Sequence, residues 1–176
     1  FFFLKTLKYL YEPQNDYQKA MRVDDRHSKS YMKKGDDLFE QEYSKHYPQT
    51  IEKFEFMLEN DGEIPDQYKT KKFAQRVLPK EWNGKGPSIT VTSLPDDYVH
   101  YSQPRTLTVR EWARLQTFPD WYKFSGNRTT GGQRRSGTPN STADQIDIPK
   151  YTQIGNAVPV QLAYEFGKHF KNILEG

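Results

Sequence analysis

The C-terminal stretch constrains this chain most. "YTQIGNAVPV", Tyr151 to Val160, sets Gly-Asn beside Val-Pro-Val, and an apolar series follows at once. Leu162, Ala163, Phe166, Phe170, Ile173 and Leu174 recur at helical spacing. Pro159 suits a first helical turn, where its missing N–H costs nothing. Gly155 gives the backbone freedom there. Asn156 either caps the helix or holds a ligand. A capped amphipathic helix and a ligand-contacting turn at the head of that helix both fit, and local sequence does not choose between them.

A length of 176 residues allows one domain, or a small domain plus a piece of another. Hydrophobic residues make up only 34%, so the core is thin and part of it needs a partner surface. Much of the apolar content is aromatic, with 12 Tyr, 11 Phe and 3 Trp, which argues against a disordered chain. There is no cysteine, which excludes disulfides, thiolate metal sites and a thiol nucleophile in this chain. The four histidines lack ligand spacing and read as surface or core residues. No apolar run approaches the length of a membrane span. "FFFLKTLKYLYE" is too short and too interrupted by lysine for a signal peptide. The first residue is not methionine, so either an N-terminus was removed or the sequence is an excerpt.

Residues 1–12 read as a strand or short helix that buries Phe3, Leu4, Leu7, Leu10 and Tyr11. Helices are expected over about 36–47, stopped by Pro48, and over about 50–60, ended by "NDG". Residues 63–86 read as irregular. Alternation of Ile89 and Val91 with Ser88, Thr90 and Thr92 predicts a half-buried strand, and "YVHY" a second one. In "RTLTVREWARLQTFPD", Thr108 and Glu111 form a capping-box pair, and Pro119 ends the helix. Trp112 and Leu115 share one side of it, Arg110 and Arg114 another. A Gly/Ser/Thr-rich loop over about 125–149 follows. Its length argues for function or disorder. From Asn127 to Lys150 there are four basic residues and two acidic ones, a block that can grip phosphates or simply be solvated.

Two stretches together resemble one family. "PRTLTVREWARLQTFPD" is similar to motif IX of the cytosine-5 DNA methyltransferases, and "QIGNAVPVQLA" to their motif X. They stand in the family's order, with "PSITVTS" upstream, over residues 87–166. "DDRHSKSYM" resembles the stretch that often follows the family's motif VIII, in a region otherwise matching loosely. The family's Gly-rich cofactor motif, Pro-Cys loop, Glu-Asn-Val motif and Gln-x-Arg-x-Arg motif are missing. Cytosine C5 is a poor nucleophile until a thiolate adds at C6, and a chain without cysteine cannot supply that thiolate.

The resemblance therefore implies the C-terminal half of such an enzyme, with an α/β fold. Residues 1–150 would form a small mixed DNA-recognition region that includes motif IX. Residues 151–176 would form the motif X turn and the helix completing a Rossmann-like methyltransferase domain. It places Asn156, Ala157 and Val158 beside S-adenosylmethionine, with the helix N-terminus offering N–H donors to the donor carboxylate. Asn156 as a mere helix cap is the alternative. Arg105, Arg110 and Glu111 would be scaffold, and no catalytic or metal-ligating residue is assigned. Arg128, Arg134 and Arg135 are the expected contacts to double-stranded DNA, with the target base flipped out of the duplex. The implied partner is the catalytic half, as a separate subunit or a preceding segment. The implied setting is the cytoplasm of a bacterium or a phage host, with a place in restriction-modification. A stand-alone DNA-binding or regulatory module and a tRNA-directed relative remain as rivals.

Overall fold

The computed structural model describes residues 8–24, 30–70, 75–82, 95–129, 142 and 148–176. Its helices are α1 (Asp16–Met21), α2 (Pro48–Glu59), α3 (Val109–Leu115), α4 (Lys150–Asn156) and α5 (Val160–Glu175). A 3-10 turn covers Asp66–Tyr68. Strands β1 (Arg76–Val77) and β2 (Tyr98–Val99) pair in parallel, Arg76 opposite Tyr98. The fold is mixed α/β.

Helix α3 starts where the sequence places it. The Thr108 hydroxyl accepts the Glu111 N–H, and the Glu111 side chain accepts the Thr108 N–H, so two otherwise orphan donors are satisfied. Trp112 and Ala113 enter the main core with Tyr98, Leu107, Phe118 and Phe124. Tyr151 and Ile154 of α4 join the same cluster, and the Tyr151 hydroxyl donates to the Leu107 carbonyl at 2.9 Å. A smaller cluster beneath α2 holds Phe54, Met57 and Val99.

Several expectations need correction. The helix over 36–47 does not form. That segment is irregular, with Glu40 at φ 65, and its Glu40 carbonyl accepts the Arg110 N–H. Pro48 opens α2 as its first residue instead of stopping a helix before it, because a first-turn proline sacrifices no hydrogen bond. At the N-terminal end, Leu10 and Tyr11 are exposed and Tyr9 is the buried residue. The region taken as irregular contains the 3-10 turn and β1. Finally, Gly155 and Asn156 belong to a helix of their own, α4, and the break before α5 comes at Ala157 to Pro159. Gly155 is buried inside α4 and is not among the positive-φ residues, so its conformational freedom is not what the site uses.

Phe3, Leu4, Leu7 and the strand over 88–92 lie outside the described residues. Among the described residues, no helix is long and apolar enough to cross a membrane.

Candidate functional site

Helix α3 carries two buried charge networks, one on each side. Arg105 donates through both terminal nitrogens to the two Glu111 oxygens at 2.8 Å, a bidentate pair. Gln41 Nε2 donates to Glu111 Oε1 at 3.1 Å, and the Thr108 hydroxyl donates to Gln41 Oε1 at 3.0 Å. Burial pushes the Glu111 carboxyl up, but the Arg105 pair, the Thr108 N–H and His100 outweigh it and hold it at about 2. Burial, with Arg105 close by, pushes the His100 imidazole down to about 4, although Glu111 Oε1 lies 3.9 Å from its Nε2. His46 Nε2 accepts the Thr106 N–H at 3.2 Å, and burial lowers its pKa too.

On the other side, Arg114 donates to both oxygens of Asp120 at 3.0 and 2.6 Å, and Arg110 Nη1 lies 3.7 Å from Oδ1. The Tyr9 hydroxyl donates to Asp120 Oδ2, so the N-terminal segment is tied to this centre. Arg110 also donates to the carbonyls of Phe39, Pro119 and Tyr122. Arg105, Arg110 and Glu111 therefore act as internal braces in this fold. Each pair exists because a charge this deep is tolerated only with a partner.

The C-terminal end of α3 leads to the turn that carries the expected cofactor residues. The Thr117 N–H bonds to the Arg114 carbonyl and the Phe118 N–H to the Ala113 carbonyl, both at 2.9 Å. This is a Schellman ending, in which glycine usually takes the left-handed position. Here Thr117 holds it, at φ 58. A β-branched residue there costs about 1–2 kcal/mol. The buried Gln116 side chain donates to the Ile154 carbonyl at 3.2 Å and the Ala157 carbonyl at 3.1 Å. The Val160 N–H bonds to the Gln116 carbonyl, and the Gln161 N–H to the Thr117 hydroxyl at 2.8 Å.

Asn156, Ala157 and Val158 are thus one connected turn between α4 and α5. Asn156 and Val158 are exposed, Val158 to 64%, and Ala157 is half-buried. Asn156 does not cap α5, whose N-cap is Pro159, with no side-chain cap. The expected supply of N–H donors at this helix start is also reduced, since those of Val160 and Gln161 are already taken by Gln116 and Thr117.

Arg128 is half-buried and donates to the Glu42 carbonyl at 2.9 Å and to Ser44 Oγ at 3.1 Å. Those bonds use two of a guanidinium's five donors. Arg134 and Arg135 lie outside the described residues. Among the described residues no three carboxylate or imidazole side chains are grouped to hold a metal ion.

Sequence reasoning missed Gln116, Thr117, Asp120 and Tyr9. Asp120 closes the "RTLTVREWARLQTFPD" stretch, but beside the helix-ending proline it passes for a turn residue. The other three give no local signal, because their partners are tens of residues away.

Residues 4–172 match the family model for the C-5 cytosine-specific DNA methylase. Type II methyltransferase M.AquIB of Picosynechococcus is 32% identical over 127 residues, which cover 72% of this chain and 83% of that one. Type II methyltransferase M.Eco47II of Escherichia coli is 38% identical over 93 residues, 51% of this chain and 18% of its own length. DNA (cytosine-5)-methyltransferase 1A of rice is 35% identical over 99 residues, 54% of this chain and 5% of its own. The chain thus spans less than a fifth of the bacterial enzyme M.Eco47II and most of M.AquIB. The braced helix α3 and the turn it holds lie inside the matched range, and with nearly the whole length accounted for, this chain belongs to the C-5 cytosine-specific DNA methylase family.

Proposed function

We propose that this chain is the C-terminal, target-recognition part of a DNA (cytosine-5)-methyltransferase. Joined to a catalytic half, it takes part in moving a methyl group from S-adenosylmethionine to C5 of cytosine. Residues 1–150 serve DNA recognition, and 151–176 return to complete the cofactor domain. The observation that carries this reading is the uncovered apolar face of α5. Leu162, Phe166 and Phe170 are 48%, 54% and 58% exposed, directly after the turn at Asn156. Such a stripe is stable in water only when something covers it. The zero cysteine count gives the occupant its chemistry: a polypeptide segment that supplies the thiolate. M.AquIB supports a separate subunit, because a chain no longer than this one bears the name of a methyltransferase.

In the joined enzyme the cofactor supplies an electrophilic methyl group. Asn156, Ala157 and Val158 would hold it. An exposed amide next to an exposed Val158 suits a ligand with both polar and apolar parts, as this donor has. The turn is fixed at both ends before ligand arrives, so little ordering is left for binding to impose. Arg128, Arg134 and Arg135 would contact DNA phosphates, with Arg128 also bonded to Ser44. The substrate is duplex DNA, with the target cytosine flipped out for attack.

The test is methyl transfer from a labelled donor to duplex DNA. The purified chain alone is expected to transfer none, and the chain mixed with a family catalytic half carrying the Pro-Cys loop is expected to be active. Transfer by the chain alone would overturn the proposal. So would inactivity of the mixture with both parts folded and associated.

A further inference from the structure

We infer that Gln116 and Thr117 are positioning residues for the donor-contacting turn, acting through the backbone of residues 154–161. This rests on the reading of Asn156, Ala157 and Val158 as donor contacts. Neither residue touches that ligand itself. Gln116 is buried, and its amide bonds the carbonyls of Ile154 and Ala157, on either side of Asn156. The same residue's carbonyl accepts the Val160 N–H. Thr117 accepts the Gln161 N–H. Two adjacent residues at the end of one helix thus hold the last turn of α4, the Ala157 carbonyl and the first turn of α5, and the three candidate residues lie within that anchored stretch.

Thr117 is the informative member. It occupies the left-handed position of a Schellman ending, where glycine fits without strain. Glycine has no hydroxyl, so it cannot accept the Gln161 N–H. The unfavourable backbone state is kept because the side chain is needed across the turn, and a strained residue at such a place points to function. The Arg105–Glu111 brace at the start of α3 and the Arg114–Asp120 brace at its C-terminal end hold the helix that presents this pair.

The experiment uses Thr117→Val, Thr117→Ser, Thr117→Gly and Gln116→Met in the full chain. Amide exchange at Gln161 is read first, then donor and DNA affinity after joining to the catalytic half. Thr117→Val and Thr117→Gly should each speed Gln161 exchange at least about tenfold and weaken donor binding about tenfold. Gln116→Met should weaken the donor similarly. Thr117→Ser, which keeps the hydroxyl, should behave as wild type, and DNA affinity should stay within about twofold throughout. Thr117→Gly removes the left-handed strain, so its melting point should not fall, which separates donor loss from misfolding. Unchanged Gln161 exchange in Thr117→Val, or faster exchange with undiminished donor affinity, overturns the inference. Asn156→Ala tells the two failures apart. If it weakens donor binding while the Thr117 and Gln116 variants do not, the positioning role fails and the donor site stands. If it too leaves donor binding unchanged, the donor reading itself fails and takes the inference with it.

Discussion

At the scale of single residues, the buried ion pairs tie stability to pH. Glu111 is held at about 2, below an ordinary glutamate, so its contribution is complete above about pH 4.5 and is lost as pH falls toward 2. His100 is held at about 4, below an ordinary imidazole near 6.5. In the pH range between those values the unfolded chain binds a proton that the folded chain refuses, so stability falls as pH drops through it. The two effects have the same sign, and His46 adds to them in the same direction. A tenfold change in proton affinity is worth about 1.4 kcal/mol, so His100 alone contributes on the order of 3 kcal/mol between pH 7 and about pH 4. Urea unfolding at a series of pH values should show stability declining from about pH 6.5 downward, and His100→Asn should flatten that decline. A wild-type curve flat between about pH 7 and pH 4.5 would contradict this.

At the scale of elements, α5 differs from the other helices. α3 and α4 place residues in the main core, whereas α5 has no buried residue at all. Phe166 and Phe170 stack on each other at 6.4 Å on its surface, which shelters some ring area but leaves both more than half exposed. Replacing Leu162, Phe166 and Phe170 together by Gln should change the stability of the isolated chain by no more than about 0.5 kcal/mol per site. The same variant should lose association with a catalytic half, since each large side chain no longer buried forfeits about 1.5–3 kcal/mol. The wild-type chain alone should self-associate, and the variant should run as a monomer in light scattering. A large drop in melting temperature in the variant would mean that α5 packs on its own chain in solution.

For the whole molecule, charge distribution matters more than net charge, which is only +3. If Arg128, Arg134 and Arg135 contact phosphates, replacing all three by Ala should weaken binding to every duplex sequence alike. The slope of log affinity against log salt should become shallower by about 1 for each phosphate contact removed. Arg128→Ala has a second expected consequence, because its bonds to Glu42 and Ser44 join residue 128 to the segment before α2. Some loss of stability should accompany that substitution alone. Fluorescence anisotropy at several salt concentrations checks the first point and a thermal melt the second. An unchanged slope in the triple variant would make this loop a spacer.

The sequence by itself determined what depends on neighbours along the chain. The capping box at Thr108 and Glu111 works over three residues, so it was legible, as was the amphipathic stripe of α5. The family was legible because "REWARLQTFPD" and "QIGNAVPVQLA" keep their order. Tertiary structure decided where a residue's partner is remote. Charged, helix-compatible residues over 36–47 suggest a helix, but Glu40 and Gln41 are held instead by Lys150, Arg110 and Glu111. No periodicity announces that Tyr9 meets Asp120, 111 residues away. Asn156 can be read as a cap because local sequence does not say where one helix stops and the next begins. That break is fixed by a hydrogen bond that Gln116 donates and one that Thr117 accepts, about forty residues earlier in the chain, and a bond across such a separation exists only once the chain has folded.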